Sequence, residues 1–109
     1  MINVKDFTKL DLRIGTILKV ELLEQAKKSA YHLEIDFGKL GIKHSSAQIA
    51  KLYKPNELIG RQIIAAVNLP PNKIARVTSD VLVLGANNKD GAVILLEPQK
   101  TIPNGAKIG

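Results

Sequence analysis

The chain has 109 residues, no cysteine, a net charge of +6 and an isoelectric point near 9.7. A chain of this length forms one domain and buries a single core without staples. The lack of cysteine excludes disulfides, thiolate metal sites and cysteine nucleophiles. Met1 to Asp6 has no apolar h-region, and no apolar run nears the ~20 residues that cross a bilayer, so a cytoplasmic protein without membrane insertion is expected. The basic balance suits an anionic partner such as nucleic acid, an acidic protein surface or anionic lipid, or else serves solubility alone. Its cations are scattered from Lys5 to Lys107, with Lys27-Lys28 the longest run.

In chain order, Val4, Phe7 and Leu10 recur every three residues, which predicts one helical turn packing Phe7 on the body. Leu12 to Leu22 predicts a long strand. Leu12, Ile14, Thr16, Leu18, Val20 and Leu22 would share one face, and Gly15 would mark a bulge or bend. Glu24 to Ser29 is a polar connection. Tyr31, Leu33, Ile35 and Phe37 then alternate with His32, Glu34 and Asp36, the pattern of a strand with one buried face. Tyr31 and Phe37 are therefore expected in the core, although a binder of single-stranded nucleic acid would want exposed rings. Gly38 to Gly41 is a turn, and Ile42 to Gln48 completes a hairpin whose small, polar, uncharged centre runs against strand propensity. That centre reads as part of a ligand-contacting surface.

Ile49 to Tyr53 carries helical or turn character and stops before Pro55, and Asn56 to Gly60 is a turn. Gln62 to Leu69 reads as a central strand ended by Pro70-Pro71, because proline donates nothing to a ladder. Asn72 to Thr78 is a basic loop, Val81 to Leu84 a short strand, Ala86 to Gly91 a turn, and Ala92 to Leu96 its pairing strand. Pro103-Asn104-Gly105 makes a last turn. Five short strands with a helical connector between the third and fourth predict an all-β, five-stranded OB-fold barrel with short terminal extensions. It would fill residues 1–109 as one domain, with its core at about 7–105. A β-sandwich is the alternative.

No catalytic or metal site is expected, and no cofactor. His44 could align with Ser46 but not with Ser45, because neighbouring strand residues face opposite ways. Glu34 and Asp36 share a face and read as a solvated pair. Two histidines and scattered carboxylates lack metal-ligand spacing, and no phosphate-binding glycine loop is present.

Several segments together resemble the tRNA-binding-domain superfamily of OB-folds, and most of all its CsaA branch of export-related chaperones. They are Asp11 to Ile17, Leu33 to Gly38, Lys43 to Ile49, Leu58 to Ala65, Val67 to Pro71, Ser79 to Gly85 and Pro103 to Gly105. Ser45-Ser46-Ala47-Gln48 is the specific marker. Arg13-x-Gly15-x-Ile17 is shared more widely. The chain departs from the family pattern at Leu69, where phenylalanine is usual, at Asn72-Lys73 and Arg76, at Asp80 for glutamate, and at Ser29 for proline. The resemblance implies an OB-fold homodimer that binds unfolded preproteins and the preprotein translocase ATPase during post-translational export. Relatives bind tRNA.

Two functions are in play. In a peptide chaperone, Ser45, Ser46, Gln48 and Asn68 would anchor a peptide backbone, and Leu69, Pro70 and Pro71 would form an apolar wall. The alternative is that these polar residues only close the barrel. In a tRNA binder, Arg13, Lys28, Lys43, Lys73 and Arg76 would meet phosphates and read shape, unless each is simply a solvated charge. A pure interaction module ranks third. Dimerisation would use Phe7 with its neighbours and the tail after Ile102.

Overall fold

The computed structural model describes residues 1–23, 30–74 and 77–109. Its elements in chain order are α1 (Val4–Phe7), β1 (Leu12–Leu23), β2 (Ala30–Asp36), a 3₁₀ turn at Gly38–Leu40, β3 (Ile42–Ala47), α2 (Pro55–Leu58) and β4 (Gln62–Ala66). They continue with β5 (Asn72–Ile74), β6 (Val77–Ser79), β7 (Leu82–Val83), β8 (Gly85–Asn87), β9 (Val93–Leu95) and β10 (Lys107–Ile108). The main sheet runs β3-β2-β1-β4-β7, with β10 also on β1. Every ladder in it is antiparallel.

Strand β1 is the spine. Its first half pairs with β4 and β10, and its second half pairs with β2. The predicted bulge exists at a different residue. Gly15 pairs regularly with Ile63, whereas the register against β2 slips between Ile17 and Lys19 and leaves Leu18 bulged. Ile17, just before the slip, is buried, whereas Leu18, the bulged residue, and Leu22 are exposed. Gly15 serves another purpose. A Cβ there would lie 2.6 Å from Ile35 Cγ2 and 2.7 Å from Phe37 Cε1. Its lack of a side chain is what lets these two groups pack against β1.

The β2–β3 hairpin follows the predicted alternation. Tyr31, Leu33, Ile35 and Phe37 are all buried, in one cluster with Ile17, Ile49, Leu58, Ile63 and Leu95. Asp36 Oδ1 accepts the Gly38 N–H at 2.8 Å and starts the turn, which Gly38 and Gly41 complete with φ of 66° and 88°. The helical connector stands later than expected. Residues 50–52 form only a turn, and helix begins at Pro55, where a first-position proline forfeits no hydrogen bond. Glu57 accepts the Lys54 N–H at 3.0 Å and Leu58 is buried. Strand β4 ends at Ala66, short of the expected Leu69.

The basic loop expected at Asn72 to Thr78 is instead a two-stranded hairpin, β5 with β6. Helix α1 forms where predicted but buries nothing, and Phe7, expected on the body, is 41% exposed. The sheet curls into a half-barrel and its open side closes by a short polar seam. Asp80 N–H donates to His44 O at 2.7 Å, and His44 N–H donates to Asp80 Oδ2 at 3.1 Å. Ser46 N–H donates to Ser79 Oγ at 3.3 Å. The free edge of β3 is thus covered by residues 79 and 80, as an OB-fold requires of its terminal strand.

Candidate functional site

The seam has a hollow beside it. A cavity of about 230 Å³ is lined by Ser46 of β3, Leu69 and Pro70 after β4, and Asn72, Ser79, Asp80, Val81 and Leu82 from the segment that closes the barrel. Three residues expected at a peptide site, Ser46, Leu69 and Pro70, come together here. Five others were missed. None carries a local signal, because the hollow exists only once residues 79–82 fold back against β3.

Ser46 Oγ is buried and is the one such side-chain atom among the described residues without a hydrogen-bond partner. A buried hydroxyl without a partner is unfavourable by about 1–3 kcal/mol. Leu69 is half-buried and Pro70 exposed, so they form an apolar rim.

The other expected anchors do different work. Ser45 is only 1% exposed, and its hydroxyl donates to Ser46 O and accepts from Ser79 Oγ. It belongs to the seam and offers nothing to a ligand. Asn68 is exposed, but both ends of its amide are taken. Its Oδ1 accepts the Asp11 N–H at 2.8 Å and its Nδ2 donates to Lys9 O at 2.7 Å. Asn68 therefore ties the chain after β4 to the segment entering β1. Asn68→Ala is expected to reduce stability by about 1–2 kcal/mol, and hydrogen–deuterium exchange should show faster exchange at residues 1–11. Unaltered exchange there would show that the tie is dispensable. Gln48 and Pro71 are exposed and lie outside the hollow.

Three of the five expected cationic residues are described, on different elements. Arg13 is half-buried, with Nε 2.6 Å from Asp11 Oδ1 and Nη1 donating to Gly105 O at 2.9 Å. Its charge is neutralised and it fastens the C-terminal turn. Lys43 is half-buried on β3, and Lys73 is exposed on β5 beside Asn72. Lys28 and Arg76 lie outside the described residues, as does Ser29.

The histidines meet each other. His32 Nε2 and His44 Nδ1 lie 2.8 Å apart, and the rings stack with centroids at 5.0 Å. His44 is thus committed to His32 and does not activate Ser46. Asp36 caps the turn and Glu34 lies 3.8 Å from Lys19 Nζ, so this pair does no acid–base work. Lys19 also binds Glu21 at 3.0 Å, and that hydrogen bond and charge hold the Glu21 carboxyl below its ordinary range and push the Lys19 ammonium up. Both groups are exposed, where such pairs weigh little. Among the described residues no three His, Asp or Glu side chains are placed to hold a metal. No helix among them is long and apolar enough to cross a membrane.

A larger cleft of about 460 Å³ includes Thr16, Arg61, Gln62 and Glu97, and none of the expected site residues. Two of its polar side chains hold the tail beyond it. Thr16 Oγ1 donates to Asn104 Oδ1 at 2.7 Å, and the Gln62 amide bonds Ile102 N and O and Asn104. It anchors the C-terminal tail.

The family profile described as "Putative tRNA binding domain" matches residues 12–107. A crystal structure of the chaperone CsaA from Bacillus anthracis superposes with a TM-score of 0.95 at 53% identity, covering 100% of this chain and 99% of that one. The chain belongs to the tRNA-binding-domain family, in its CsaA branch. A second CsaA structure, from Picrophilus torridus, agrees at 51% identity and a TM-score of 0.92 over 100% of both chains. A methionine–tRNA ligase of Methanosarcina mazei is 36% identical over 108 residues, which is 99% of this chain but only 15% of the ligase. The likeness covers only that share of the enzyme, so ligase activity does not transfer. CsaA-type proteins thus share with these ligases an OB-fold that is not itself catalytic.

Proposed function

We propose that the protein is a CsaA-like chaperone that holds unfolded preproteins for post-translational export and takes peptide in the hollow beside the seam. One observation carries this reading: Ser46, whose buried hydroxyl has no hydrogen-bond partner among the described residues, lines the same small hollow as an apolar rim of Leu69, Pro70, Val81 and Leu82. A surface that accepts many unfolded chains needs apolar contact with few polar anchors. In this account the protein acts in the cytoplasm as a homodimer and meets the preprotein translocase ATPase. The exposed Ile2, Val4, Phe7 and Ile102 supply apolar surface for a two-fold interface.

Tight binding of tRNA is the second reading. It is favoured by the family description and by Lys73, exposed on the β5–β6 hairpin. Arg13 contributes little to it, because its charge is already matched by Asp11.

Ser46→Ala separates a ligand anchor from a structural hydroxyl. The side chain bonds nothing in the free protein, so thermal stability should hold or rise slightly. Affinity for an unfolded peptide, read by fluorescence anisotropy, should fall about three- to tenfold, the worth of one hydrogen bond. A variant that binds peptide as tightly as the parent would remove the hollow from the binding site.

A further inference from the structure

The two histidines of the chain face each other from neighbouring strands, outside the hollow. His32 Nε2 and His44 Nδ1 are 2.8 Å apart, and both residues are half-buried, so solvent still reaches them. The strand register sets this pair. His44 stands opposite Glu34 and His32 opposite Ser46, which makes the histidines diagonal neighbours on one face of the sheet. Glu21 of β1 stands opposite His32, and Lys19 opposite Glu34. Lys19 Nζ lies 3.0 Å from Glu21 Oε1 and 3.8 Å from Glu34 Oε2. Two carboxylates against one ammonium leave a negative charge beside the histidines, in a chain whose net charge is +6.

Imidazoles this close can share a proton or an ion. Two nitrogens each about 2.0 Å from one metal ion stand about 2.8 Å apart at a right angle, and about 3.3 Å apart at a tetrahedral one. The observed separation meets the first arrangement and is about half an ångström short of the second. We infer that His32 Nε2 and His44 Nδ1 form a two-nitrogen site for a divalent transition ion, Cu²⁺ above Zn²⁺, with water in the remaining positions. The hydrogen bond between the rings is given up. The ring that donates it moves its proton to its other nitrogen through water, so both facing lone pairs turn to the ion and two neutral rings lose no proton. Imidazole suits these ions, whereas Mg²⁺ and Ca²⁺ take oxygen ligands. Glu21 and Glu34 favour a dication here by their charge, without having to coordinate it. The ion ties β2 to β3 at His44, whose backbone N–H and C=O hold Asp80 and the closing segment. Its binding therefore stabilises the folded chain.

The test uses the untagged full chain, titrated by calorimetry with Cu²⁺ or Zn²⁺, and with Mg²⁺ as the hard-ion control. One ion should bind per chain, Cu²⁺ more tightly than Zn²⁺, and Mg²⁺ should give no signal. Electron paramagnetic resonance of the Cu²⁺ form should show coupling to two imidazole nitrogens. Saturating Zn²⁺ should raise the melting temperature by several degrees. His32→Gln and His44→Gln each remove one ligand, and each should weaken Cu²⁺ binding by about tenfold or more and abolish the Zn²⁺ shift. His32→Gln leaves the backbone bonds of His44 in place, so it keeps the test sharp if His44→Gln folds poorly. Coupling to fewer than two imidazole nitrogens, or Cu²⁺ binding to His32→Gln as tight as to the parent, overturns the site and leaves the pair as a hydrogen bond between strands.

Discussion

Phe37→Ala is expected to lower stability by about 3–5 kcal/mol and the melting temperature by roughly 10–20 °C. Phe37 is fully buried and ends the alternating half of the hairpin. Its ring packs at Gly15, on the spine strand. Its backbone also matters, because its N–H donates to Gly41 O at 3.0 Å and closes the Gly38–Gly41 turn. Its carbonyl lies against Gly105, where a Cβ would sit 2.6 Å away. The ring is hemmed in by three strands and a tail, so the site has little room to collapse after truncation, and cavity costs grow where collapse is poor. Chemical denaturation should show the loss with an unchanged denaturant slope. A loss below about 1.5 kcal/mol, the worth of a single methylene or two, would mean that the barrel is not organised around this ring.

Gly15→Val approaches the same contact from the other side and should destabilise by about 1–3 kcal/mol or more. Even the first added carbon would overlap Ile35 Cγ2 and the Phe37 ring edge, both fully buried. Neither neighbour has a flexible end that can swing away. Gly15→Ala should show the same sign but a smaller loss, since alanine also narrows the unfolded ensemble by about 0.4–1 kcal/mol. The two sites touch, so Gly15→Ala with Phe37→Leu should cost less than the sum of the single changes. Strict additivity in that double-mutant cycle would show that Gly15 is small for some reason other than Phe37.

The period of two from Tyr31 to Phe37 made the hairpin and its buried face legible, because strand alternation and burial are both local in sequence. The bulge at Leu18 was not legible. A one-residue slip leaves no mark in composition, yet it takes Leu18 out of the ladder and leaves it exposed. Pro55 misled in a related way, since proline stops one helix and starts another with equal ease. At the site, polar side chains were visible but their partners were not. Ser45 and Asn68 looked like free anchors, and each is consumed by a residue more than thirty positions away. Ser79 and Asp80 looked like ordinary polar residues before a strand, and they build the seam and the hollow. Arg13 read as a phosphate contact and is held between Asp11 and Gly105. In each case the deciding contact is made by barrel closure, which brings together segments that share no local pattern.

The central claim is that the hollow beside Asp80 binds unfolded peptide mainly through apolar contact. The most direct test is a competition between tRNA and a labelled unfolded preprotein peptide, read by anisotropy between about 50 and 200 mM salt, a range over which multiple phosphate contacts would weaken steeply. The account predicts peptide binding that changes by no more than a few-fold across the series and survives excess tRNA. It would be contradicted by peptide that fails to bind at any salt, or by tRNA that displaces it with an affinity falling by orders of magnitude as salt rises.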